Sequence, residues 1–513
     1  MSRAAAIAVV IVFATVLLSP LRRELYVGDE TKYSRVVREM RLGSPAGESP
    51  QSSLDRFLLP TLEGSPFTHK PPLHFWLMGA LTFVFGLQSL WSYVLPSIVA
   101  FALLLLLMHR IGGPFAAFVT GTSLLLWGSA QTARMDVAFA GLLALAAWWL
   151  HRQRLVAAGF AAGVAFLVKG PMAPVILIAL YLFESIRKKR RPRGRDALML
   201  VPMLVLPLVW LVPAIAIGGE AYWREIFFKQ TVGRAVGAWV HQSPPWFYLV
   251  RAPLTLMPWF FVTIAAAVAA YKRNDERAKL AVSWLLAVLV PYTLLSSKLD
   301  VYMMTLLPAV GLLVARLVDA AEDRWSLLAR RLNLAMLALF ALIGLAGLLV
   351  QPSQIKGEDG ALVARADVRA LFAILLVAAL LAIVVSLRGR LASAVLATGF
   401  VAVAALSYAA VALVPLANEL ASTRPLVRAL AAIDVPPEEI ALHVTPHLWT
   451  REMNPALGRA RHVDANALQT LQPRPRVIVT RRKDAAKIAP VLQGYRRVAE
   501  LRMIGKWFDV YER

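Results

Sequence analysis

Residues Phe67 to Trp76, with the sequence FTHKPPLHFW, mark the point where a polar segment changes to an apolar one. Lys70 precedes two prolines, and an apolar run follows from Pro72 to Gly86. This run is shorter than the roughly 20 residues that a transmembrane helix needs. Proline is tolerated at the start of a helix but breaks its interior. The stretch therefore predicts a helix that begins after the prolines and lies along the membrane interface.

The composition is that of a protein embedded in a membrane. Hydrophobic residues make up 58% of the 513 residues, charged residues only 17%, and the mean hydropathy is +0.62. Soluble domains contain about 45–50% apolar and about 25% charged residues. The net charge of +24 does not indicate a nucleic-acid partner, because much of it lies in short loops such as RKKRRPRGR at 187–195. The absence of cysteine excludes disulfides and thiolate metal sites.

Apolar runs long enough to form transmembrane helices recur along the chain. About thirteen spans are predicted, at 4–21, 92–109, 112–130, 134–150, 154–168, 171–186, 196–218, 251–271, 278–296, 301–318, 332–350, 367–387 and 391–414. The first run could also be a signal peptide. It lacks a clear cleavage site of small residues, which favours an uncleaved anchor.

Lysine and arginine in short loops predict which side of the membrane each loop faces, since such loops are typically cytoplasmic. The basic loops lie at 109–110, 151–154, 187–195, 272–277, 324–331 and 388–390. If 22–71 lies outside and Arg110 inside, residues 72–109 cross the membrane an odd number of times. The run from Pro72 to Gly86 therefore does not cross. The N-terminus is predicted inside and the C-terminus outside.

Three segments are too long to be simple connections, namely 22–71, 219–250 and the tail after Val414. Short β-like runs in the tail (EIALHVT, PRVIVT and KWFDVYE) alternate with helical pieces, one of them about Asp464 to Leu471. We therefore predict an all-α polytopic membrane domain at 1–414, with exoplasmic loops at 22–71 and 219–250. A small soluble α/β domain is predicted at 415–513.

Several cations without obvious acidic neighbours are predicted on the outer side of the membrane. They are Lys70, Lys169, Arg234 and Lys298, and Tyr302 lies four residues after the last of them. Snorkelling of the side chain to the lipid headgroups would explain any one of them alone. A group of them on one side is more typical of a phosphate site, because charge-assisted hydrogen bonds to phosphate are strong where water is excluded.

Three carboxylates are candidates for catalysis. Asp29 and Glu30 begin a segment of helical period, GDETKYSRVVREM, where Asp29 could simply complement the helix dipole. The alternative is that Asp29 acts as a general base, which takes a proton from an acceptor hydroxyl or phosphate. Asp136 opens a predicted span two residues after Arg134. It could pair with Arg134 or hold one of the lysines in place.

His69 and His241 are the candidate metal ligands. Two histidines without clustered spacing are a weak signal for a metal, and exposed interfacial histidines are the alternative. A divalent metal ion near them stays open, and no other cofactor is expected. The sequence has no GxGxxG, P-loop, HExxH or GxSxG context, so nucleotide chemistry has no support.

Seven motifs occur in a characteristic order along the chain. They are GDETKY, HKPPLHFW, ARMD, VKGPMAP, the run VGRAVGAWVHQSPPWFYL followed by MPW, SSKLDVYMMTLLPA and NELASTRP. This order resembles the ArnT-like branch, the aminoarabinose transferases, of the protein O-mannosyltransferase superfamily. These are membrane glycosyltransferases of the GT-C fold. The resemblance extends from the first span to about Pro425.

The resemblance implies a sugar donor linked to a polyprenyl phosphate such as undecaprenyl phosphate. It implies a lipid A or other cell-envelope acceptor at the periplasmic face of the bacterial inner membrane, where the C-terminal domain would also lie. The acidic pair of the family matches Asp29 and Glu30, and the catalytic role falls to Asp29. The residues implied to hold the donor phosphate are Lys70, Lys169, Lys298 and Tyr302. The chain departs from the family at Thr68-His69 and at Lys32, where arginine is common.

Two other functions remain open from the sequence. The first is a glycosyltransferase of the same fold that acts on protein or on another envelope glycan. The second is a transporter of lipid-linked sugars, which would be expected to carry inverted repeats and helices broken near the bilayer midplane. The sequence shows neither feature, and its polar residues are predicted near one leaflet.

Overall fold

The computed structural model describes residues 2–43, 52–62, 64–228, 242–355, 359–443, 460–503 and 505–513. These residues are mostly helical, with a small sheet near the C-terminus, and the predicted fold class is confirmed. The α-helices are Ser2–Leu18, Asp29–Leu42, Ser53–Leu58, Leu73–Phe85, Leu90–Gly121, Leu124–Ala130, Asp136–His151, Leu155–Lys169, Met172–Arg187, Leu200–Arg224, Phe247–Thr255, Phe260–Lys272, Glu276–Leu294, Leu307–Asp319, Arg324–Leu349, Asp359–Ala364, Ala366–Arg388, Leu391–Tyr408, Val414–Ala421, Arg424–Ile433 and Ala465–Thr470. The strands are β1 Thr61–Leu62, β2 Ser65–Pro66, β3 Ile440–His443, β4 Arg461–Val463, β5 Val477–Arg481, β6 Arg496–Met503 and β7 Lys506–Glu512.

Among the described residues, eight helices are long and apolar enough to cross a membrane. They are Arg3–Leu21, Leu90–Gly121, Gly194–Phe228, Glu276–Leu294, Asp300–Asp319, Arg324–Leu349, Ala366–Arg388 and Leu391–Ala421. The helices Phe247–Thr255 and Phe260–Lys272, bent by 109°, add a ninth if the pair forms one span. The chain is therefore a multi-span membrane protein. The count is below the about thirteen spans predicted, partly because Asp136–His151 and Leu155–Lys169 are short.

The chain divides into two compact units. The first comprises Met1–Ser19, Thr68–His74 and Pro96–Leu413. The second comprises Pro20–Phe67, Phe75–Leu95 and Val414–Arg513. The sequence-based division placed its only boundary at 414/415. In the structure the tail is grouped with 20–67 and 75–95, so the second unit combines three separate segments of the chain.

In the first unit, small residues let two helices approach each other closely. A methyl group at Gly159 would overlap the carbonyl oxygen of Met199, and one at Gly163 would lie 2.6 Å from the carbonyl oxygen of Pro202. Glycine is the residue that permits such an approach of backbone to backbone. The helix Leu155–Lys169 is thereby held against the start of the next long span, which fixes the position of its last residue, Lys169.

The second unit contains the soluble sheet that the tail predicts. The strand order is β4-β3-β5-β7-β6, with β4, β3 and β5 parallel and β7 and β6 antiparallel to their neighbours. Val477 and Val479 of β5 and Leu426 and Leu430 of the helix Arg424–Ile433 belong to one buried cluster. The consecutive β-branched residues of PRVIVT thus mark a strand in the middle of the sheet, with both of its faces buried.

The helix after the two prolines begins where the sequence predicts. It runs from Leu73 to Phe85, 13 residues, and a rise of about 1.5 Å per residue gives roughly 20 Å, less than the roughly 30 Å hydrocarbon core of a bilayer. Phe83 and Val84 are 71% and 75% exposed. An apolar surface of this kind suits contact with lipid, and the interfacial orientation of the helix stays a prediction.

Candidate functional site

A buried ion pair between Asp136 and Lys169 is the centre of the polar cluster in the first unit. Lys169 Nζ contacts Asp136 Oδ1, and the two side chains are 8% and 9% exposed. Asp136 is the first residue of one helix, and Lys169 is the last residue of the next. Negative charge is favoured at a helix N-terminus and positive charge at a C-terminus, so both helix dipoles stabilise this arrangement.

Two aromatic rings cover the Lys169 ammonium. Lys169 Nζ lies 4.7 Å from the ring centroid of Tyr302 and 5.3 Å from that of Phe139. The Tyr302 ring in turn stacks on Tyr292, with centroids 4.7 Å apart and an angle of 16° between the planes. A cation over an aromatic face is stabilised by the ring quadrupole, more strongly when water is excluded. The rings therefore help to fix the ammonium in one place.

Further charges act on the same carboxylate. Lys70 and Arg134 interact electrostatically with Asp136, as Lys169 does. His74, whose ring is fully buried, also lies within the electrostatic range of Asp136. Three cations thus act on one carboxylate, and Lys169 is in direct contact with it. Fixed cations in a partly buried site attract an anionic ligand.

Lys298, four residues before Tyr302, is buried, at 4% exposure. Its ammonium donates hydrogen bonds to the carbonyl oxygens of Leu295 and Ser243, the latter at 3.2 Å. It forms no ion pair with an acidic side chain of the described residues. Burial lowers the pKa of Lys298, since a low-dielectric environment disfavours the charged form.

The predicted acidic pair, Asp29 and Glu30, belongs to the second unit, and its members have different surroundings. Glu30 accepts hydrogen bonds of 2.7 Å from both terminal nitrogens of Arg23 and one of 2.7 Å from the backbone N–H of Tyr26. The Asp29 side chain is 39% exposed, and its Oδ1 lies 3.6 Å from Lys32 Nζ. Glu30 therefore stabilises the fold of this segment, whereas Asp29 is accessible to another molecule.

A motif near the end of the membrane region holds the chain that leads into Asp29. Asn418 accepts a hydrogen bond from the N–H of Glu24 at 3.0 Å and donates one to the carbonyl of Arg22 at 2.9 Å. Arg424 pairs with Glu24 at 2.7 Å, and Ser422 donates to the same carboxylate at 2.8 Å. Sequence reasoning quoted NELASTRP only as a family motif and missed this role, because the partners are almost 400 residues apart.

The other predicted site residues are Arg234, His241 and His69. Arg234 and His241 lie outside the described residues. His69 belongs to the first unit and is exposed. Within the described part of the chain, no group of three or more histidine or acidic residues could hold a metal ion. The pairing of His69 with His241 at a metal stays a prediction.

The sequence is similar to membrane glycosyltransferases. The model of the family described as dolichyl-phosphate-mannose-protein mannosyltransferase matches residues 69–217. The chain is 29% identical over 364 residues to the undecaprenyl phosphate-alpha-4-amino-4-deoxy-L-arabinose arabinosyl transferase of Pseudomonas paraeruginosa, an alignment that covers 65% of this chain and 64% of that protein. A second transferase of the same description, from Proteus mirabilis, is 26% identical over 371 residues, with 65% and 62% covered. The chain thus spans less than two thirds of the length of these relatives.

The fold matches a solved structure over nearly the whole chain. The crystal structure of ArnT from Cupriavidus metallidurans bound to undecaprenyl phosphate has a TM-score of 0.71 with 20% sequence identity, covering 99% of this chain and 97% of that one. The apo form gives the same TM-score with 19% identity. The resemblance to the ArnT-like branch and its GT-C fold that the motif order predicts is therefore confirmed.

Proposed function

We propose that this ArnT-like membrane protein is a glycosyltransferase, which moves a sugar from undecaprenyl phosphate or a similar polyprenyl phosphate to lipid A or another cell-envelope acceptor. The observation that carries the proposal is the buried Asp136–Lys169 pair, with Lys70 and Arg134 acting on the same carboxylate. Cations held near one another in a membrane protein suit a lipid-linked phosphate, because charge-assisted hydrogen bonds to phosphate are strong. The printed descriptions of the relatives support the same donor class.

The donor phosphate would be held by the cations of the first unit. Asp136 orients Lys169, while Tyr302 and Phe139 cover its ammonium. Lys70 and Lys298 would add charge-assisted hydrogen bonds to the phosphate oxygens. Arg234, which the sequence also assigns to this group, lies outside the described residues. Negative charge develops on the leaving phosphate as its bond to the sugar breaks, and fixed cations stabilise that charge.

Asp29 would act on the acceptor. Its carboxylate takes the proton of an acceptor hydroxyl or orients an acceptor phosphate, and the acceptor oxygen then forms a bond to the anomeric carbon. The bond from this carbon to the polyprenyl phosphate breaks, and its electron pair leaves with the phosphate. Glu30 has its oxygens occupied by Arg23 and Tyr26, so we assign it to positioning Asp29. Asp136 likewise positions Lys169.

We also propose the periplasmic face of a bacterial inner membrane as the side where the reaction occurs. The support is the sequence pattern of basic loops, which are typical of the cytoplasmic side. The steps above assign no role to the predicted metal at His69 and His241, which stays a prediction.

Reconstitution with a defined donor tests the proposal. The full chain in proteoliposomes is given undecaprenyl-phosphate aminoarabinose and lipid A, and both lipids are measured by mass spectrometry. The expected result is an acceptor heavier by one aminopentose together with free undecaprenyl phosphate. Lys169→Ala should abolish this product, whereas Lys483→Ala, a change of an exposed lysine in the soluble sheet region, should not. Movement of intact donor across the bilayer without cleavage would instead indicate a transporter.

A further inference from the structure

The turn between the helices Met172–Arg187 and Leu200–Arg224 carries the densest positive charge of the sequence, RKKRRPRGR at 187–195. Its cations fall into two sets. Arg187, Lys188 and Arg190 form ion pairs with acidic residues of the first unit. The other four, Lys189, Arg191, Arg193 and Arg195, are exposed and form no ion pair within the described part of the chain.

The ion pairs of Arg187, Lys188 and Arg190 stabilise the conformation of the turn. Glu184 accepts hydrogen bonds of 2.8 Å from two nitrogens of Arg187, and it lies 3.0 Å from Lys188 Nζ. Asp196 has a nearly buried side chain, which accepts from Arg190 and from the hydroxyl of Tyr181, both at 2.7 Å. These contacts are charge-assisted, so they hold the backbone of the turn in a defined shape.

A second contact of Asp196 shapes the end of the turn. Its carboxylate accepts a hydrogen bond of 2.9 Å from the backbone N–H of Arg193, which starts the short 3₁₀ helix Gly194–Met199. Among the described residues, the nearby carboxylates are occupied by the paired set, so the other four cations have no carboxylate partner there. The turn is therefore a fixed scaffold that presents four free positive charges.

The surroundings of the turn indicate which partner these charges meet. Ile186 at the end of the preceding helix is 73% exposed, Leu198 in the 3₁₀ helix Gly194–Met199 is 53% exposed, and Val201 at the start of the next helix is 57% exposed. Apolar side chains exposed on the helices of a multi-span protein contact lipid tails. The four cations thus lie next to apolar side chains that are exposed at the ends of the helices that the turn connects.

We propose that Lys189, Arg191, Arg193 and Arg195 form a binding surface for the phosphate groups of anionic glycerophospholipids. Clusters of lysine and arginine next to membrane spans attract acidic lipids, and the attraction falls within a Debye length of the surface. Arginine suits this ligand because its planar guanidinium can donate two parallel hydrogen bonds to a phosphate. The surface is separate from the proposed reaction, so it does not depend on the glycosyltransferase assignment.

The test compares two variants that lose the same charge. In the first, Lys189, Arg191, Arg193 and Arg195 are all changed to Gln. In the second, the changes are Arg474→Gln, Lys483→Gln, Arg496→Gln and Lys506→Gln, at four exposed positions of the soluble region that form no ion pair with a described residue. Each full chain is placed in nanodiscs of phosphatidylcholine with phosphatidylglycerol added in steps. Retained phosphatidylglycerol is counted by native mass spectrometry, and folding is checked by thermal unfolding.

We expect the first variant to bind phosphatidylglycerol at least about tenfold more weakly than the unchanged chain, and the second to bind it equally well. Binding to the unchanged chain should weaken as salt is raised from about 0.05 M to 0.5 M. Millimolar inorganic phosphate should not displace the lipid, and displacement would mean that the surface selects free phosphate. Equal lipid binding by the first variant and the unchanged chain would overturn the proposal.

Discussion

Lys169, the last residue of its helix, is paired with Asp136, the first residue of the preceding helix. Both side chains are almost fully buried. Removing an ion pair from water costs several kcal/mol per ion, so such a pair is weak evidence of a contribution to stability alone. In the proposed reaction the role of the pair is positional, because Asp136 and Tyr302 together hold one ammonium in a fixed place.

Replacing both Asp136 and Lys169 should separate the effect of the pair on stability from its effect on sugar transfer. Asp136→Asn or Lys169→Met alone leaves a buried charge without its partner, which we expect to destabilise the protein by about 3–5 kcal/mol. The double variant Asp136→Leu/Lys169→Met should recover most of that loss. Transfer should stay at least about 100-fold below normal in all three variants, since each lacks the oriented ammonium. Thermal unfolding and transfer assays in the same lipid measure the two effects.

The control for this comparison is the exposed pair Arg365–Asp367, whose side chains are 47% and 24% exposed. Breaking it should change stability by less than about 1 kcal/mol and leave transfer unchanged. A double variant at Asp136 and Lys169 that transfers sugar normally would remove the pair from the mechanism.

The two members of the acidic pair should respond differently to the loss of charge. Asp29→Asn keeps the shape of an exposed side chain, so we expect normal folding and donor binding with no measurable transfer. Glu30→Gln leaves the buried Arg23 without its carboxylate, and we expect a loss of about 3–5 kcal/mol in stability. Unfolding, donor affinity and transfer are measured for both. Full activity of Asp29→Asn would exclude it as the base, and unchanged stability of Glu30→Gln would contradict the positioning role.

The sequence predicted the features that depend on local composition. Apolar runs predicted the membrane class, the prolines at 71–72 predicted the start of the helix Leu73–Phe85, and the short β-like runs PRVIVT and KWFDVYE predicted β5 and β7. These signals are local, because hydrophobic periodicity and the covalent geometry of proline act within a few residues. The number of spans differs from the prediction, since apolar helices such as Asp136–His151 and Leu155–Lys169 are shorter than a full span.

The site depended on contacts that no sequence pattern specifies. The sequence left open whether Asp136 pairs with Arg134 or with a lysine, and the structure shows the contact with Lys169, 33 residues away. The sequence assigned the catalytic role to Asp29 through the family resemblance, but it did not reveal the contacts of Glu30, which come from Arg23 and Tyr26 on the preceding loop. Such pairings arise from packing between segments distant in sequence, which one chain without an alignment does not reveal.

The stability of the segment that leads into Asp29 should fall more when Asn418 is replaced than when Arg424 is replaced. Asn418 is 1% exposed and bonds to the backbone of Arg22 and Glu24. In Asn418→Leu these partly buried backbone groups lose their hydrogen-bond partners, which we expect to cost about 1 kcal/mol each. Arg424 and Glu24 are about one-third exposed, so Arg424→Gln should cost less than about 1 kcal/mol.

Thermal unfolding of the two variants checks this order, and transfer assays add a second measurement. If the motif positions Asp29, Asn418→Leu should lower kcat while donor affinity changes little. A larger loss of stability in Arg424→Gln than in Asn418→Leu would contradict the assignment of the buried amide as the main attachment.

His443 should make the soluble sheet sensitive to acid. Its side chain is 2% exposed, and its Nδ1 lies 2.9 Å from the hydroxyl of Thr480 on the neighbouring strand. Burial lowers the pKa of His443, partly opposed by Asp484 and Asp464, while Lys487 lowers it further. Because the folded state binds the proton less readily than the unfolded state, stability is complete above the ordinary pKa of about 6.5. It falls as the pH drops below that value, by at most about 1.4 kcal/mol per pH unit.

Hydrogen exchange of the full chain between pH 7.5 and 5 measures this dependence, after correction for the intrinsic effect of pH on exchange. We expect amides of β3 and β5 to lose protection below about pH 6.5. His443→Gln should remove most of the change with pH, because glutamine does not titrate in this range. His109→Gln, at an exposed histidine of the first unit, should leave it intact. Unaltered pH dependence in His443→Gln would mean that another group, rather than the buried imidazole, takes up the proton.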